Sequence, residues 1–334
     1  MENLVCFECG CSNNYETREI KRLYEGQGYR FYKNVQVPFC KNCGAPLYDE
    51  ELETKIMEEA NEEIRKQRNI ISKEEMLMIL EKYKISQKFL SKLLGWGEIT
   101  LTRYINKNYT PSKENSDRLR GLDNPYNFID LLNSMSEKTN NEIRKDKAFI
   151  KAYKKANEEI ENFAKTNGKI YSVINWFLAQ TTEETSITHL ALQKILYFVQ
   201  CWSISFNHKW IFENECQAWI HGAVYPEVYN TFKQFKYHSL PKVETQEFFD
   251  SNEIELLEFV KKYYFDVYNA KMLETICHAE TPYIKARTYV EKDEPSTEKI
   301  SKEEIMKYYT SIMHTYHIAV DDKEHVKDYL FQIK

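Results

Sequence analysis

Two cysteine pairs carry the plainest chemistry in this chain. Cys6 and Cys9, and Cys40 and Cys43, form two CxxC units separated by 30 residues. Two intervening residues let both thiolates of a pair reach one ion, and four thiolates suit tetrahedral Zn²⁺. Gly10 and Gly44 each follow the second cysteine of a pair, where a chain turning back on itself needs φ > 0. One structural zinc ion per chain is therefore the expected cofactor. A redox dithiol would use a single CxxC beside a βαβ unit, which this stretch lacks. A catalytic zinc would keep an open position with His or water, and no histidine precedes His189. Cys11 competes with Cys9 as a ligand, but the CxxC spacing favours Cys6 and Cys9.

A second constellation runs from Ile85 to Tyr104. Phe89, Leu90, Leu93 and Leu94 mark an inward helix face, Gly95 and Gly97 a turn, and Leu101 the inward side of a second short helix. This is helix-turn-helix spacing. It leaves Glu98, Thr100, Thr102 and Arg103 polar near the start of the second helix, where base edges are read, and Gln87 at the start of the first. The net charge of −5 argues against a nucleic-acid partner only while it is averaged. Between residues 65 and 120 there are 13 Lys or Arg and 6 Asp or Glu, a local +7 against −12 elsewhere. A locally basic face is what a line of phosphates requires. Operator DNA is the expected partner here. Such proteins commonly bind palindromes, so a homodimer is expected too.

Acid–base or metal chemistry in the C-terminal half would have to come from His278 with Glu280, His221 with Tyr225, or the i, i+3 pair His314 and His317. No nucleophile elbow, phosphate loop or HExxH accompanies them, so the chain is not expected to be an enzyme.

The elements that must position these residues follow from pattern. Tyr29–Tyr32 and Val35–Val37 read as short strands, joined to what precedes them by a turn at Gly26-Gln27-Gly28. Leu52, Ile56, Ala60 and Ile64 recur every four residues and predict a linking helix over 51–70. Ser72 with Glu75, and Ser301 with Glu304, have capping-box spacing before apolar helices. Residues 135–168 carry apolar positions at helical spacing and predict a connecting helix. Beyond it lie an apolar helix face (Leu192, Ile195, Leu196, Val199, Trp202), short extended segments at Ile211-Phe212 and Cys216–Trp219, a helix opened by Pro226, and one carrying Ile254, Leu257, Val260 and Tyr264. With only 9 Gly and 8 Pro, but 47 aromatic residues, the chain is too poor in turn-formers for a sandwich, and 42% apolar residues fill real cores. Cys201, Cys216 and Cys277 sit singly in apolar segments, a distribution for a reducing compartment rather than a disulfide framework. No apolar run spans a membrane and the first residues lack a secretory pattern, so the expected location is the cytoplasm.

The CxxC…CxxC ribbon followed by this helix-turn-helix resembles MqsA-type antitoxins, in which the ribbon precedes an Xre-like DNA-binding domain. Asn106-Lys107-Asn108 stands where the Xre pattern commonly has an acidic residue and a glycine, with asparagine supplying φ > 0. Farther on, Leu192–Gln200 and Ala218-Trp219-x-x-Gly222-x-Val224-x-Pro226-x-Val228-Tyr229 resemble the Panacea, or SocA-like, domain. So do Leu273–Tyr283 and Ala286-Arg287, with Cys277 for the usual Thr and Tyr283 for the usual Trp. His221 and Ala223 replace the commoner Tyr and Pro. The resemblance implies a type II antitoxin whose C-terminal domain binds and neutralises a cognate toxin, with Trp219, His221, Tyr225 and His278 as candidate partner contacts. A transcription regulator or proteolytic adaptor without a toxin is the alternative. The expected fold is mainly α: a zinc ribbon (1–50), a linking helix (51–70), a helix-turn-helix domain (71–134), a connecting helix (135–168) and a mostly helical SocA-like domain with short strands (169–334).

Overall fold

The computed structural model describes residues 4–26, 28–107, 109–182, 184–291 and 293–333. Gln27 of the expected turn and Asn108 of the expected left-handed position lie outside the described residues. The chain divides into two units, residues 1–123 and 124–334.

In the first unit, β1 (Tyr15–Gly26) and β2 (Tyr29–Cys40) pair antiparallel from Tyr15 opposite Cys40 to Gly26 opposite Tyr29. The two short strands expected in β2 are one, and β1 is an addition to the sequence reading. Polar residues dominate β1, because only one of its faces is covered. Tyr24, Val35 and Val37 pack there against Ile56 and Ala60 of α1 (Glu50–Gln67). The expected linking helix is thus the ribbon's core partner. Asp49 caps it by accepting from the Leu52 N–H at 3.0 Å, and Arg22 of β1 binds Glu53 at 2.7 and 3.1 Å.

Four helices complete this unit: α2 (Lys73–Tyr83), α3 (Gln87–Leu93), α4 (Thr100–Asn106) and α5 (Lys113–Gly121). The capping box at Ser72 is complete, with Glu75 N–H donating to Ser72 Oγ at 3.1 Å and Ser72 N–H to Glu75 Oε2 at 2.7 Å. Arg120 of α5 clamps the same Glu75 with two bonds of 3.0 and 3.1 Å. Buried Arg65 of α1 donates to the Tyr104 and Tyr109 carbonyls, both at 3.2 Å, tying the ribbon helix to α4.

The second unit begins at α6 (Pro125–Lys138), so the last stretch of the expected helix-turn-helix domain belongs here. The chain continues through α7 (Lys147–Asn167) and α8 (Lys169–Ala179) to α9 (His189–Asn207). Helix α7 packs on α6 and α8, so the expected connector is an integral part of the unit. The apolar face expected of α9 is exceeded. Helices α8, α10 (Pro226–Phe232), α11 (Ser251–Val260), α12 (Ala270–Ala279) and α14 (Lys302–Thr315) surround it, burying even Gln193, Lys194 and Gln200. Strands β3 (Gln217–Trp219) and β4 (Gly222–Val224) form a small hairpin on it, and α13 (Thr281–Ala286) and α15 (Val326–Ile333) complete the set.

Two local expectations change. Ser301 caps α14, but Glu304 does not reciprocate and pairs instead with Lys285 at 2.6 Å. The complete box in this unit is Asp250 with Glu253, before α11. Ile254 is also outside the core, at 37% exposure, while Leu256, Leu257, Phe259 and Val260 are buried. Among the described residues no helix is long and apolar enough to cross a membrane.

Candidate functional site

The knuckles of the ribbon are built twice from the same bonds. Gly10 N–H donates to Cys6 O and Gly44 N–H to Cys40 O, both at 2.8 Å, and both glycines have φ +75°. Open space surrounds each missing Cβ, so the glycines serve backbone conformation rather than close approach. The result gathers the Sγ atoms of Cys6, Cys9, Cys40 and Cys43 within 4.8 Å of one another. Cys6 and Cys43 are 3.4 Å apart, Cys9 and Cys40 3.6 Å. Four sulfurs at about 2.3 Å from one tetrahedral ion would be separated by about 3.8 Å, so the cluster is the right size for a metal. Cys11 is not among the four. Its carbonyl receives the Cys6 N–H at 2.8 Å. A hydrogen bond from Asn42, helped by the Cys11 backbone, pulls the Cys9 thiol down to about 6. Beyond the four sulfurs, Leu4 and Leu47, with partly buried Cys11 and Ala45, fill this end of the unit among the described residues, so a bound ion would supply cohesion that so small a cluster does not.

The helix-turn-helix geometry forms as the spacing predicts. Ser86 caps α3 through the Phe89 N–H, Gly95 turns with φ +71°, and buried Ser91 Oγ accepts the Leu101 N–H at 3.3 Å. Leu101 and Ile105 face inward. Asn106 stays helical within α4 and does not take the left-handed position. Of the candidate contacts, Arg103 is exposed, with its guanidinium 5.9 Å from the Tyr109 ring, while Gln87, Thr100 and Thr102 are half-buried. Glu98 is exposed and paired with Lys88 at 2.9 Å.

In the second unit the candidate residues do not converge on one point. Trp219 and His221 stand at the turn of the β3–β4 hairpin, and the His221 side chain is 69% exposed. Tyr225 is 1% exposed and belongs to the core. Half-buried His278 stacks on Tyr283, centroids 4.6 Å apart, and burial pushes it below its usual range. The proposed acid–base pairs are therefore not built. Glu280 faces three tyrosines instead, accepting from Tyr197 at 2.7 Å, Tyr309 at 2.8 Å and Tyr329 at 2.7 Å. Burial pushes this carboxyl up to about 7 against the pull of those hydroxyls.

Other residues of the sequence motif anchor the hairpin. Lys194 Nζ donates to Ala223 O at 2.9 Å, the Ala223 N–H reaches Cys277 Sγ at 3.3 Å, and Gln193 Oε1 accepts the Tyr225 N–H at 2.7 Å. Tyr283 Oη donates to Trp219 O at 2.7 Å and Arg287 Nη1 to Ala218 O at 2.9 Å. Gly222, with φ +96°, leaves no room for a Cβ, which would lie 2.6 Å from Lys194 Cε. The sequence pattern assigned Lys194 and Arg287 no role and Glu280 only a pairing with His278. For Lys194 the signal was present: it is a charged residue in a strongly apolar helix, which burial permits only with a partner.

Residues 4–135 match the family model described as the antitoxin component of a bacterial toxin–antitoxin system, MqsA, and residues 192–317 match the antitoxin SocA-like, Panacea domain. The chain is thus similar to MqsA antitoxins in its first part and to the SocA-like, Panacea domain in its second. No curated protein and no solved structure matches it. The MqsA match encloses the cysteine cluster, α3 and α4, and most of α6. The Panacea match runs from α9 past α14, and so includes the anchored hairpin and Glu280.

Proposed function

We propose that this protein is the antitoxin of a type II toxin–antitoxin pair. In this reading residues 169–334 hold a cognate toxin, α3 and α4 bind the operator of its own operon as a homodimer, and Cys6, Cys9, Cys40 and Cys43 hold one structural zinc ion in a cytoplasmic protein. The observation that carries the reading is the presence on one chain of two separate antitoxin-family domains. The division of labour is supported by charge. The basic excess lies over the helix-turn-helix, while the Panacea domain supplies a large aromatic and apolar inventory, the side-chain types favoured at protein interfaces. Zinc is supported by the four-sulfur donor set, which favours this ion over harder cations.

Co-expression tests the reading. The open reading frame adjacent to this gene should arrest growth when expressed alone and be silenced when this chain is present. A toxic neighbour that remains toxic beside the antitoxin would overturn it. Operator retardation that falls with Arg103→Ala, while neutralisation persists, would support the split between the two activities.

A further inference from the structure

The Panacea domain contains a cleft that hairpin anchoring alone does not explain. It has a volume of about 960 Å³ and opens between the start of α9, the β3–β4 turn and the segment after α10. Its walls are apolar: Leu190, Val224 and the rings of Trp219 and Tyr229, which meet edge to face at 5.0 Å. Clefts of this size and lining are the usual receptors for small molecules, oriented by a few polar groups.

The charged side chains here share one sign. Gln193 is 1% exposed, and its Oε1 is occupied by the Tyr225 N–H, so its Nε2 must act as the donor. That Nε2 has no hydrogen-bond partner among the described residues. Behind it lies the fully buried Lys194, with no carboxylate within ion-pair distance among the described residues. Lys236 and His221 stand among the lining residues, and among the described residues no Asp or Glu does. The carboxylate beside His221, Glu274, is engaged by Lys271 at 2.8 Å and by His221 at 3.6 Å. A buried donor without an acceptor is costly, and an apolar molecule carrying an anionic oxygen would relieve it while meeting the positive field.

We propose that this cleft binds a small apolar carboxylic acid, its hydrocarbon or aromatic body against Leu190, Trp219 and Tyr229 and its carboxylate toward Gln193 and Lys236. The site is separate from the helix-turn-helix and independent of whether a toxin docks elsewhere on the domain.

The test uses the full chain and anilinonaphthalene sulfonate, an aromatic body with an anionic head, as the fluorescent probe. Saturable binding at one site is expected, with displacement by decanoate at least tenfold better than by decanol. Leu190→Glu, which places a carboxylate in the cleft, should weaken decanoate at least tenfold. Leu190→Gln and Lys236→Gln should each weaken it several-fold. Circular dichroism and operator retardation report whether the variants fold; if Leu190→Glu does not, the exposed Lys236→Gln carries the test. Equal displacement by decanol, or variants that bind decanoate like the parent, would overturn the proposal. A cleft that takes no decanoate, but whose Leu190→Glu variant loses toxin neutralisation, belongs to the toxin and overturns it equally.

Discussion

Glu280 offers the sharpest perturbation, because its removal is expected to help the protein under ordinary conditions. The carboxyl is fully buried, has no cation within ion-pair distance among the described residues, and is held by three tyrosine hydroxyls. Burial raises its pKa from 4.5 to about 7. Below pH 4.5 the folded and unfolded chains both carry the proton. Between 4.5 and 7 the unfolded chain has released it and the folded chain has not, so the stability from this group falls as pH rises. At about 1.4 kcal/mol per pH unit, the loss reaches roughly 3 kcal/mol by pH 7 and then levels off. Glu280→Gln keeps the shape and neutrality of the protonated acid and cannot titrate. It should match the parent near pH 4 and exceed it by roughly 3 kcal/mol at pH 8, or about 6 to 12 °C in melting temperature for a unit of this size. Urea unfolding followed by tryptophan fluorescence at the two pH values reads the difference. Glu280→Leu should behave oppositely, orphaning three hydroxyls at roughly 1–3 kcal/mol each and destabilising at every pH. A Gln variant less stable than the parent at pH 8 would refute the reasoning. The three bonds to the charged carboxylate would then outweigh its burial.

Three further outcomes are expected. Gently purified protein should carry about one zinc per chain, and chelation or Cys40→Ser should melt the first unit while sparing the transition of the second; metal-free protein with an unchanged first transition would contradict this. Replacing Arg103 and Thr100 together with Ala should abolish operator retardation without affecting neutralisation, and the single Arg103 change should lower the slope of binding against log salt by about one; equal loss of both activities would refute the separation. Gly222→Ala, with its Cβ 2.6 Å from Lys194 Cε at φ +96°, should cost roughly 2–6 kcal/mol by thermal melting from backbone strain and overpacking, whereas Gly10→Ala, at φ +75° in open space, should cost roughly 1–3; a smaller cost at Gly222 than at Gly10 would show that the anchor is soft.

The cysteine knuckles and the two helices around Gly95 were legible because their constraints are local. Two-residue cysteine spacing and a glycine at φ +75° specify a knuckle without reference to distant chain, and Ser86, Gly95 and Leu101 do the same for the turn between α3 and α4. Strand β1 was illegible. Its apolar residues are few because one face is solvated, and its other face is completed only by α1, which sequence alone presents as a linker. The same reason hid α7, whose amphipathic pattern suits a free connector as well as a helix packed between α6 and α8. The capping box at Ser301 is incomplete for a different cause. Lys285, 19 residues upstream, draws Glu304 into an ion pair instead.

The candidate contacts in the Panacea domain divide according to where the motif points. Gln193, Lys194, Cys277, Tyr283 and Arg287 each satisfy a backbone group on or beside the β3–β4 hairpin. Those groups lie in a hairpin too short to pair them all internally, and a buried amide or carbonyl left unpaired is costly. The motif is therefore a recipe for holding three-residue strands rigidly on α9. What it holds out is the turn, where Trp219, Ile220 and the exposed His221 line the cleft. His221 stands where the family commonly has Tyr, and the anchor tolerates the change because the side chain at that position makes none of the anchoring bonds. The anchoring bonds fix the hairpin, and the turn they present is open to solvent at His221.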